Sequence, residues 1–199
     1  MNDLLLGSTG LRHGHFLFES GHHGDLWLDL DLLCLRPSRL DAPITELSRK
    51  LREFRVDIVC GVLSGGAFVG LMVAIRIDAE FCYAERVTLP PTGDAADVRY
   101  RIPGAFRRQL SGRRVAIVDD VTNAGSAVRH TYADLLLCGA VPVVIGALAV
   151  LGETTQRFTD ARGLPLVSVA RWPNQLWLPS ACPLCASGVP LERPGTANV

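Results

Sequence analysis

The stretch that decides the fold is Val115-Ala-Ile-Val-Asp119-Asp120-Val-Thr-Asn-Ala-Gly125-Ser126. Its apolar first half predicts a buried strand, from Arg113 to Val118, that opens onto two carboxylates. The residues from Ser126 to Cys138 predict a helix, and Gly139 terminates it. Ligands of open α/β sheets bind at the carboxyl ends of the strands. This turn is therefore the first candidate for a binding site.

Strands and helices alternate on both sides of that stretch. Such alternation predicts an α/β fold with a mainly parallel central sheet flanked by helices. Apolar residues at three- and four-residue steps predict helices, and short β-branched runs predict strands. Residues 87–112 contain Pro90-Pro91 and several arginines with little periodicity, so we expect much of this segment to be a mobile surface loop. The predicted helices cover 37–54 and 67–77, and the other predicted strands cover 56–62, 80–84, 141–150 and 164–170.

The composition favours one compact domain over residues 1–199, with 48% hydrophobic residues and a Pro/Gly-rich tail at 172–199. A formal net charge of zero argues against a nucleic-acid or membrane-surface partner. No apolar run approaches the ~20 residues of a membrane span. Four cysteines stand singly among apolar residues, which predicts a reduced, cytoplasmic protein. These are Cys34, Cys60, Cys82 and Cys138.

The small residues after Asp120 predict an anion site. Backbone N–H groups in such a turn point inward, and the positive end of the following helix dipole favours a phosphate. Thr122, Asn123 and Ser126 add side-chain donors. Asp119 and Asp120 would repel a phosphate, but they suit hydrogen bonds from sugar hydroxyls or a nearby Mg²⁺ ion. The alternative is a pair of capping aspartates before an ordinary helix.

Residues 115–126 resemble the motif of type I phosphoribosyltransferases that binds phosphoribosyl pyrophosphate (PRPP). The resemblance implies that Asp119 and Asp120 hold the ribose 2′ and 3′ hydroxyls of PRPP, which binds with Mg²⁺. It also implies that the following loop holds the 5′-phosphate. Asn123 is a departure, since the family more often has Thr or another small residue there. The implied loop residues are Val121, Thr122, Asn123, Ala124, Gly125 and Ser126.

Three further segments are similar to orotate phosphoribosyltransferases. Residues 14–29 resemble their N-terminal hood over the base (hood region 1–36), residues 60–67 resemble their pyrophosphate loop, and residues 182–195 resemble the tail of one bacterial branch. The resemblance implies a homodimer with loops shared across the interface. In isolation, each short Gly-rich turn is better explained as a plain connection, and it gains weight only from its place in order around the motif at 115–126. The implied base-binding residues are Phe18, Ser20, Gly21 and His23, and the implied pyrophosphate-loop residues are Ser64, Gly65 and Gly66.

The chain departs from the orotate pattern at Glu19, where Lys is usual, and at Gly24, where Ser is usual. Its flexible loop lacks the usual lysines, and Lys50 is the only lysine of the chain. Arg86, Arg99 and Arg101 are the candidates to neutralise the departing pyrophosphate, and we assign Arg86 and Arg101 a catalytic role. Arginine binds phosphate well but cannot donate a proton near neutral pH.

The function implied is transfer of the phosphoribosyl group of PRPP to orotate, giving orotidine 5′-monophosphate and pyrophosphate in pyrimidine synthesis. Two alternatives stay open. The departures at Glu19 and Gly24 allow a relative that uses another base. The lysine-free loop allows a PRPP-sensing regulatory protein that has lost catalysis, although no basic stripe for nucleic acid is present.

The tail contains the knuckle Cys182-Pro-Leu-Cys185. A structural zinc ion takes four ligands, and this motif supplies two of them. No second pair is visible in the sequence. A tight turn with two small residues is therefore favoured over a zinc site, which stays the alternative.

Overall fold

The computed structural model describes residues 10–29, 34–89 and 97–194, and these residues form two sheets. The larger sheet has the strand order β5-β4-β3-β6-β7-β8, and the smaller has the order β1-β2-β9. The strands are β1 (Gly10–Leu17), β2 (His23–Asp29), β3 (Ile58–Val62), β4 (Glu80–Leu89), β5 (Asp97–Arg101), β6 (Arg114–Thr122), β7 (Val141–Leu151), β8 (Leu166–Trp172) and β9 (Leu176–Trp177). The helices are α1 (Asp41–Leu51), α2 (Gly65–Ile77), α3 (Gly104–Arg107), α4 (Ser126–Leu137), α5 (Thr154–Asp160) and α6 (Pro183–Ala186), with 3-10 turns at Pro37–Leu40, Arg52–Phe54 and Pro179–Ala181.

The larger sheet is parallel except at one edge. Strands β4, β3, β6, β7 and β8 pair in parallel, and β5 runs antiparallel to β4. All five residues of β3 are buried, as expected of a strand covered on both faces. The predicted α/β architecture is confirmed. The longest described helix, α2, has 13 residues, and none in the described part of the chain could cross a membrane.

Two hydrophobic clusters cover the two faces of the larger sheet. Successive residues of β6 alternate between them, because side chains of a strand point to opposite faces. Ala116 and Val118 belong to the cluster that includes Leu47 of α1 and Val73 of α2. Val115 and Ile117 belong to the cluster that includes Val128 and Leu135 of α4. The carboxyl end of β6 is thus fixed between two packed layers.

The expectation of a mobile loop over much of 87–112 is wrong for the residues that the structure describes. Strand β4 continues to Leu89, β5 pairs back onto it, and α3 follows; residues 90–96 lie outside the described part. The reason is an alternation in which Val98, Tyr100 and Ile102 pack into the second cluster. Arg99 and Arg101 stand between them, so the strand pattern was hidden by charge.

The smaller sheet joins the two ends of the described chain. Strand β9 of the tail pairs with β2, at His23 opposite Trp177. Further along the tail, the N–H of Leu17 donates to the carbonyl of Glu192 at 2.9 Å, and the N–H of Glu192 donates to that of His15 at 2.7 Å. The hood and the tail therefore form one unit that packs beside the larger sheet.

Candidate active site

A cleft of about 300 Å³ opens at the carboxyl ends of β3 and β6. Four parts of the chain line it: the tip of the hood, the turn between β3 and α2, strand β5, and the turn between β6 and α4. This is the position expected for a ligand site in an open α/β sheet. The lining residues are Phe18, Glu19, Ser20, Val62, Leu63, Ser64, Gly65, Tyr100 and residues 119–127.

The acid pair forms the floor of the cleft. Asp119 is buried, with 7% of its surface exposed, and its Oδ1 accepts a hydrogen bond from the N–H of Asp120 at 3.1 Å. Burial, and then the neighbouring charge of Asp120, raise the pKa of Asp119 well above its ordinary value. Hydroxyl donors or a cation would relieve both effects. The burial and charge of the pair therefore fit a polyhydroxyl ligand and a divalent metal ion.

Two glycines let helix α2 start directly against the acids. A Cβ atom at Gly65 would lie 2.2 Å from Oδ2 of Asp120, and one at Gly66 would lie 2.6 Å from Oδ1 of Asp119. The peptide bond between Leu63 and Ser64 is cis. Helix α2 begins after Ser64 without a side-chain cap, and the uncapped start of a helix offers backbone N–H groups to an added acceptor.

Side chains from later in the chain stabilise the turn before α4. Gly125 has φ of 69°, in the left-handed region that favours glycine, and a Cβ there would lie 2.6 Å from Oγ1 of Thr155. That hydroxyl shares a hydrogen bond of 2.6 Å with Thr122, and Asn174 donates to Oδ1 of Asn123 at 2.7 Å. Helix α4 begins at Ser126 with neither a side-chain cap nor an acidic residue in its first turn. Such a helix start is suited to a phosphate.

The hood contributes the roof of the cleft. Phe18 stacks on Trp27 with ring centroids 5.9 Å apart, and Ser20 hydrogen-bonds the ring of His22 at 3.2 Å. Gly21 does not line the cleft but forms the tight turn of the hairpin, with φ of 77°. Packing explains why position 24 is a glycine and not a serine, because a Cβ there would lie 2.4 Å from the Phe18 ring.

Glu19, which stands where the orotate pattern has Lys, links the hood to the β4–β5 hairpin. Its carboxylate accepts hydrogen bonds from Arg86 at 3.1 Å and from the Tyr100 hydroxyl at 3.2 Å. Burial and the charge of Glu19 raise the pKa of Tyr100, which keeps the phenol neutral. Arg86 thus stands at the rim of the cleft, next to residues that line it.

The other two candidate arginines lie elsewhere. Arg99 and Arg101 line a second depression between β5 and α4, and Arg99 lies 3.5 Å from the ring of His130. Within this one chain the structure does not bring Arg101 to the cleft. Lys50 lies on α1 and donates to the carbonyl of Ser168 in β8, so the only lysine is not among the residues that line the cleft.

His23 also lies outside the cleft. It is buried in a cluster with His15, Cys182 and Cys185, whose nitrogen and sulfur atoms lie within 4.8 Å of one another. Burial, and then the neighbouring His15, lower the pKa of His23. The reason for disfavouring zinc, the lack of a second ligand pair, was therefore wrong, because the hood supplies two histidines.

Sequence reasoning also missed residues that shape the cleft. Tyr100 lies in a segment interpreted as a loop, and Thr155 and Asn174 brace the anion turn from more than 30 residues away. A signal was present for Tyr100 in the Val98-Arg-Tyr-Arg-Ile102 alternation. No local pattern marks Thr155 or Asn174, whose roles depend on the fold.

The solved structures to which this chain is similar include phosphoribosyltransferases. The alignment with adenine phosphoribosyltransferase from Rhodothermus marinus covers 85% of this chain and 97% of that structure, with a TM-score of 0.66 at 19% identity. The alignment with orotate phosphoribosyltransferase from Aeropyrum pernix covers 86% of this chain and 93% of that structure, with a TM-score of 0.64 at 25% identity. Fold and cleft together define the class of type I phosphoribosyltransferases.

Sequence relatives narrow this class. Orotate phosphoribosyltransferase from Thermotoga petrophila is 30% identical over 196 residues, covering 98% of this chain and 97% of its own length. The enzyme of that name from Caldanaerobacter subterraneus is 27% identical over 189 residues, with 95% and 92% covered. No family model matches the sequence. Because these relatives align with the chain over nearly its full length, the chain belongs to the orotate phosphoribosyltransferase family.

Proposed function

We propose that this protein transfers the phosphoribosyl group of PRPP to orotate, releasing pyrophosphate and forming orotidine 5′-monophosphate. The observation that carries the proposal is the acid pair at the end of β6, which leads directly into the uncapped start of α4. Family membership supports orotate as the acceptor base.

The residues of the cleft form groups, and each group would bind a different part of PRPP. The turn 121–126 would bind the 5′-phosphate through backbone N–H groups and the dipole of α4. Asp119 and Asp120 would accept hydrogen bonds from the ribose hydroxyls. Ser64, Gly65 and Gly66 would place the open N–H groups of α2 beside the pyrophosphate. Preorganised donors of this kind stabilise the charge that develops on the leaving group.

The acid pair also fits Mg²⁺, which prefers carboxylate, phosphate and water oxygens. Burial and the charge of Asp120 raise the pKa of Asp119, and a bound cation would offset both effects. Mg²⁺ bound with PRPP would neutralise part of the pyrophosphate charge. Asp119 and Asp120 are the residues near which it would lie.

The hood would hold the base and the hairpin would close the cleft. Phe18 presents an aromatic face and Ser20 a hydroxyl toward the cleft, both suited to a planar base with polar edges. Arg86, now paired with Glu19, would exchange that carboxylate for the departing pyrophosphate, and we propose that Arg101 contributes charge across a subunit interface. Gly21 would set the turn that positions Ser20.

A homodimer is part of the proposal. Helix α2 exposes Phe68, Leu71 and Ile75 on one side, with 57%, 45% and 72% of their surfaces accessible. These residues form an apolar stripe of the kind that a second copy covers. Ile75→Glu is expected to shift the sedimentation coefficient from dimer to monomer; an unchanged value would place the interface elsewhere. We also propose a cytoplasmic location, with which the lack of a disulfide bond among the six cysteines, all of which lie in the described residues, agrees.

The test is a spectrophotometric assay with orotate, PRPP and Mg²⁺, accompanied by calorimetric titration of PRPP. Turnover of orotate supports the proposal. Turnover with a different base alone would reassign the acceptor, and PRPP binding without any turnover would replace the enzyme with a PRPP sensor. The assay thus separates the proposed function from both alternatives.

A further inference from the structure

The second cluster of polar side chains lies where the hood meets the tail. Nε2 of His15 lies 3.0 Å from Nδ1 of His23, and Sγ of Cys185 lies 3.2 Å from that same nitrogen. The sulfurs of Cys182 and Cys185 lie 3.4 Å and 3.7 Å from Nε2 of His15. His15, His23 and Cys182 are buried, and Cys185 is exposed.

We propose that these four residues bind a structural zinc ion. Two nitrogens and two sulfurs around tetrahedral zinc, with bonds of about 2.0–2.1 Å and 2.3 Å, are separated by roughly 3.3–3.8 Å. The observed separations of 3.0–3.7 Å approach this range. Two thiolates with two imidazoles select zinc over the hard ions Mg²⁺ and Ca²⁺.

The surroundings orient the ligands. Nδ1 of His15 donates to the carbonyl of Val189 at 2.8 Å, which leaves the lone pair of Nε2 facing the other three residues. A second hydrogen bond of this kind is typical of metal-bound histidine. The backbone folds around the cysteines, because the N–H groups of Ala186 and Gly188 donate to the carbonyls of Cys182 and Cys185.

A site with four protein ligands leaves no position for a substrate, so its role is structural. The ion would fasten strands β1 and β2 to helix α6, across 162 residues of sequence between His23 and Cys185. The same hairpin carries Phe18 and Ser20 to the cleft. The site would therefore hold the roof of the cleft in place without taking part in the reaction.

The test is metal analysis by mass spectrometry of the full chain, produced with zinc in the medium and gel-filtered. Wild type is compared with Cys182→Ser/Cys185→Ser and with His15→Gln. The controls are Cys138→Ser, which is remote, and His13→Gln, an exposed histidine on the same strand. We expect about one zinc per chain in wild type and both controls, and loss of zinc in both ligand variants.

The ligand variants could lose zinc simply because they fail to fold. A second measurement, made on wild type alone, therefore tests the site without them. Replacement of zinc by Co²⁺ is expected to give the visible absorption of a tetrahedral site with thiolate charge transfer. Wild type that takes up no zinc, zinc that persists in both ligand variants, or an octahedral Co²⁺ spectrum would each overturn the proposal. Metal content is measured without substrate, so it stands or falls independently of orotate turnover.

Discussion

The cleft and the Cys/His cluster are assembled in opposite ways. The cleft takes its acids and its anion turn from eight consecutive residues, 119–126, and the sheet only has to place them. The cluster takes two ligands from a hairpin near one end of the chain and two from a turn near the other. A contiguous site can be read from sequence because its geometry is local. An assembled site becomes visible only when the fold brings its halves together.

This difference predicts how each region responds to change. Under the proposed function, side chains in the contiguous site contact the reacting molecule, so their loss should abolish turnover and leave the fold intact. Ligands of the assembled site hold the smaller sheet together, so their loss should weaken the positioning of the base first.

The largest effect is expected for Asp119→Asn/Asp120→Asn. Without both carboxylates the ribose hydroxyls lose their acceptors, and we expect turnover to fall by about a thousandfold or more. Steady-state kinetics and circular dichroism measure activity and fold. Asp78→Asn is the matched control, since Asp78 is exposed at the end of α2 with φ of 59°, which Asn tolerates. Full activity in the double variant would remove the basis of the proposed function.

The second largest loss of activity is expected for Gly65→Ala. Its Cβ would lie 2.2 Å from the Asp120 carboxylate, so that side chain must move, and we expect about a hundredfold loss of kcat/KM with little change in melting temperature. Gly104→Ala is the control, because nothing lies within 4 Å of its Cβ. Gly66→Ala should differ, since its Cβ would meet backbone of Asp119 and Val118 and should destabilise the fold. Equal activity of the Gly65 variant and its control would mean that Asp120 can move freely.

Removal of zinc should have a smaller and more selective effect. After stripping with a zinc-selective chelator and gel filtration into Mg²⁺ buffer, we expect KM for orotate to rise about tenfold and KM for PRPP to stay within about twofold. The exposed Cys185 gives the chelator access. Zinc added back should restore the original KM. A parallel rise in both KM values would show that the two regions are not separate.

The smallest effect concerns stability. The raised pKa of Asp119 means that its contribution to stability is fully present below the unfolded pKa, near 3.8, and is lost as pH rises through the folded pKa. Asp119→Asn removes this loss. At neutral pH we expect the ligand-free variant to gain about 1 kcal/mol, or about 2–4 °C in melting temperature. The gain should vanish near pH 4; a gain independent of pH would point to another cause.

The sequence predicts the parallel sheet and the acid-bearing turn well, because apolar runs and small polar turns are local signals. It fails where charge hides a pattern, as at Arg99 and Arg101, which alternate with the apolar-facing residues of 98–102. It also fails where a role needs a distant partner. Glu19 reads as a departure until Arg86 and Tyr100 are seen to share its carboxylate.

The smaller sheet has a consequence for the order in which the chain folds during synthesis. Its first strands leave the ribosome before the larger sheet does, but β9 and the pairing of Glu192 with His15 and Leu17 are made by residues that emerge after it. The larger sheet, from β3 to β8, is complete before them. Domains fold as units while the chain grows. The nascent protein therefore acquires the acid pair early and the roof above it last.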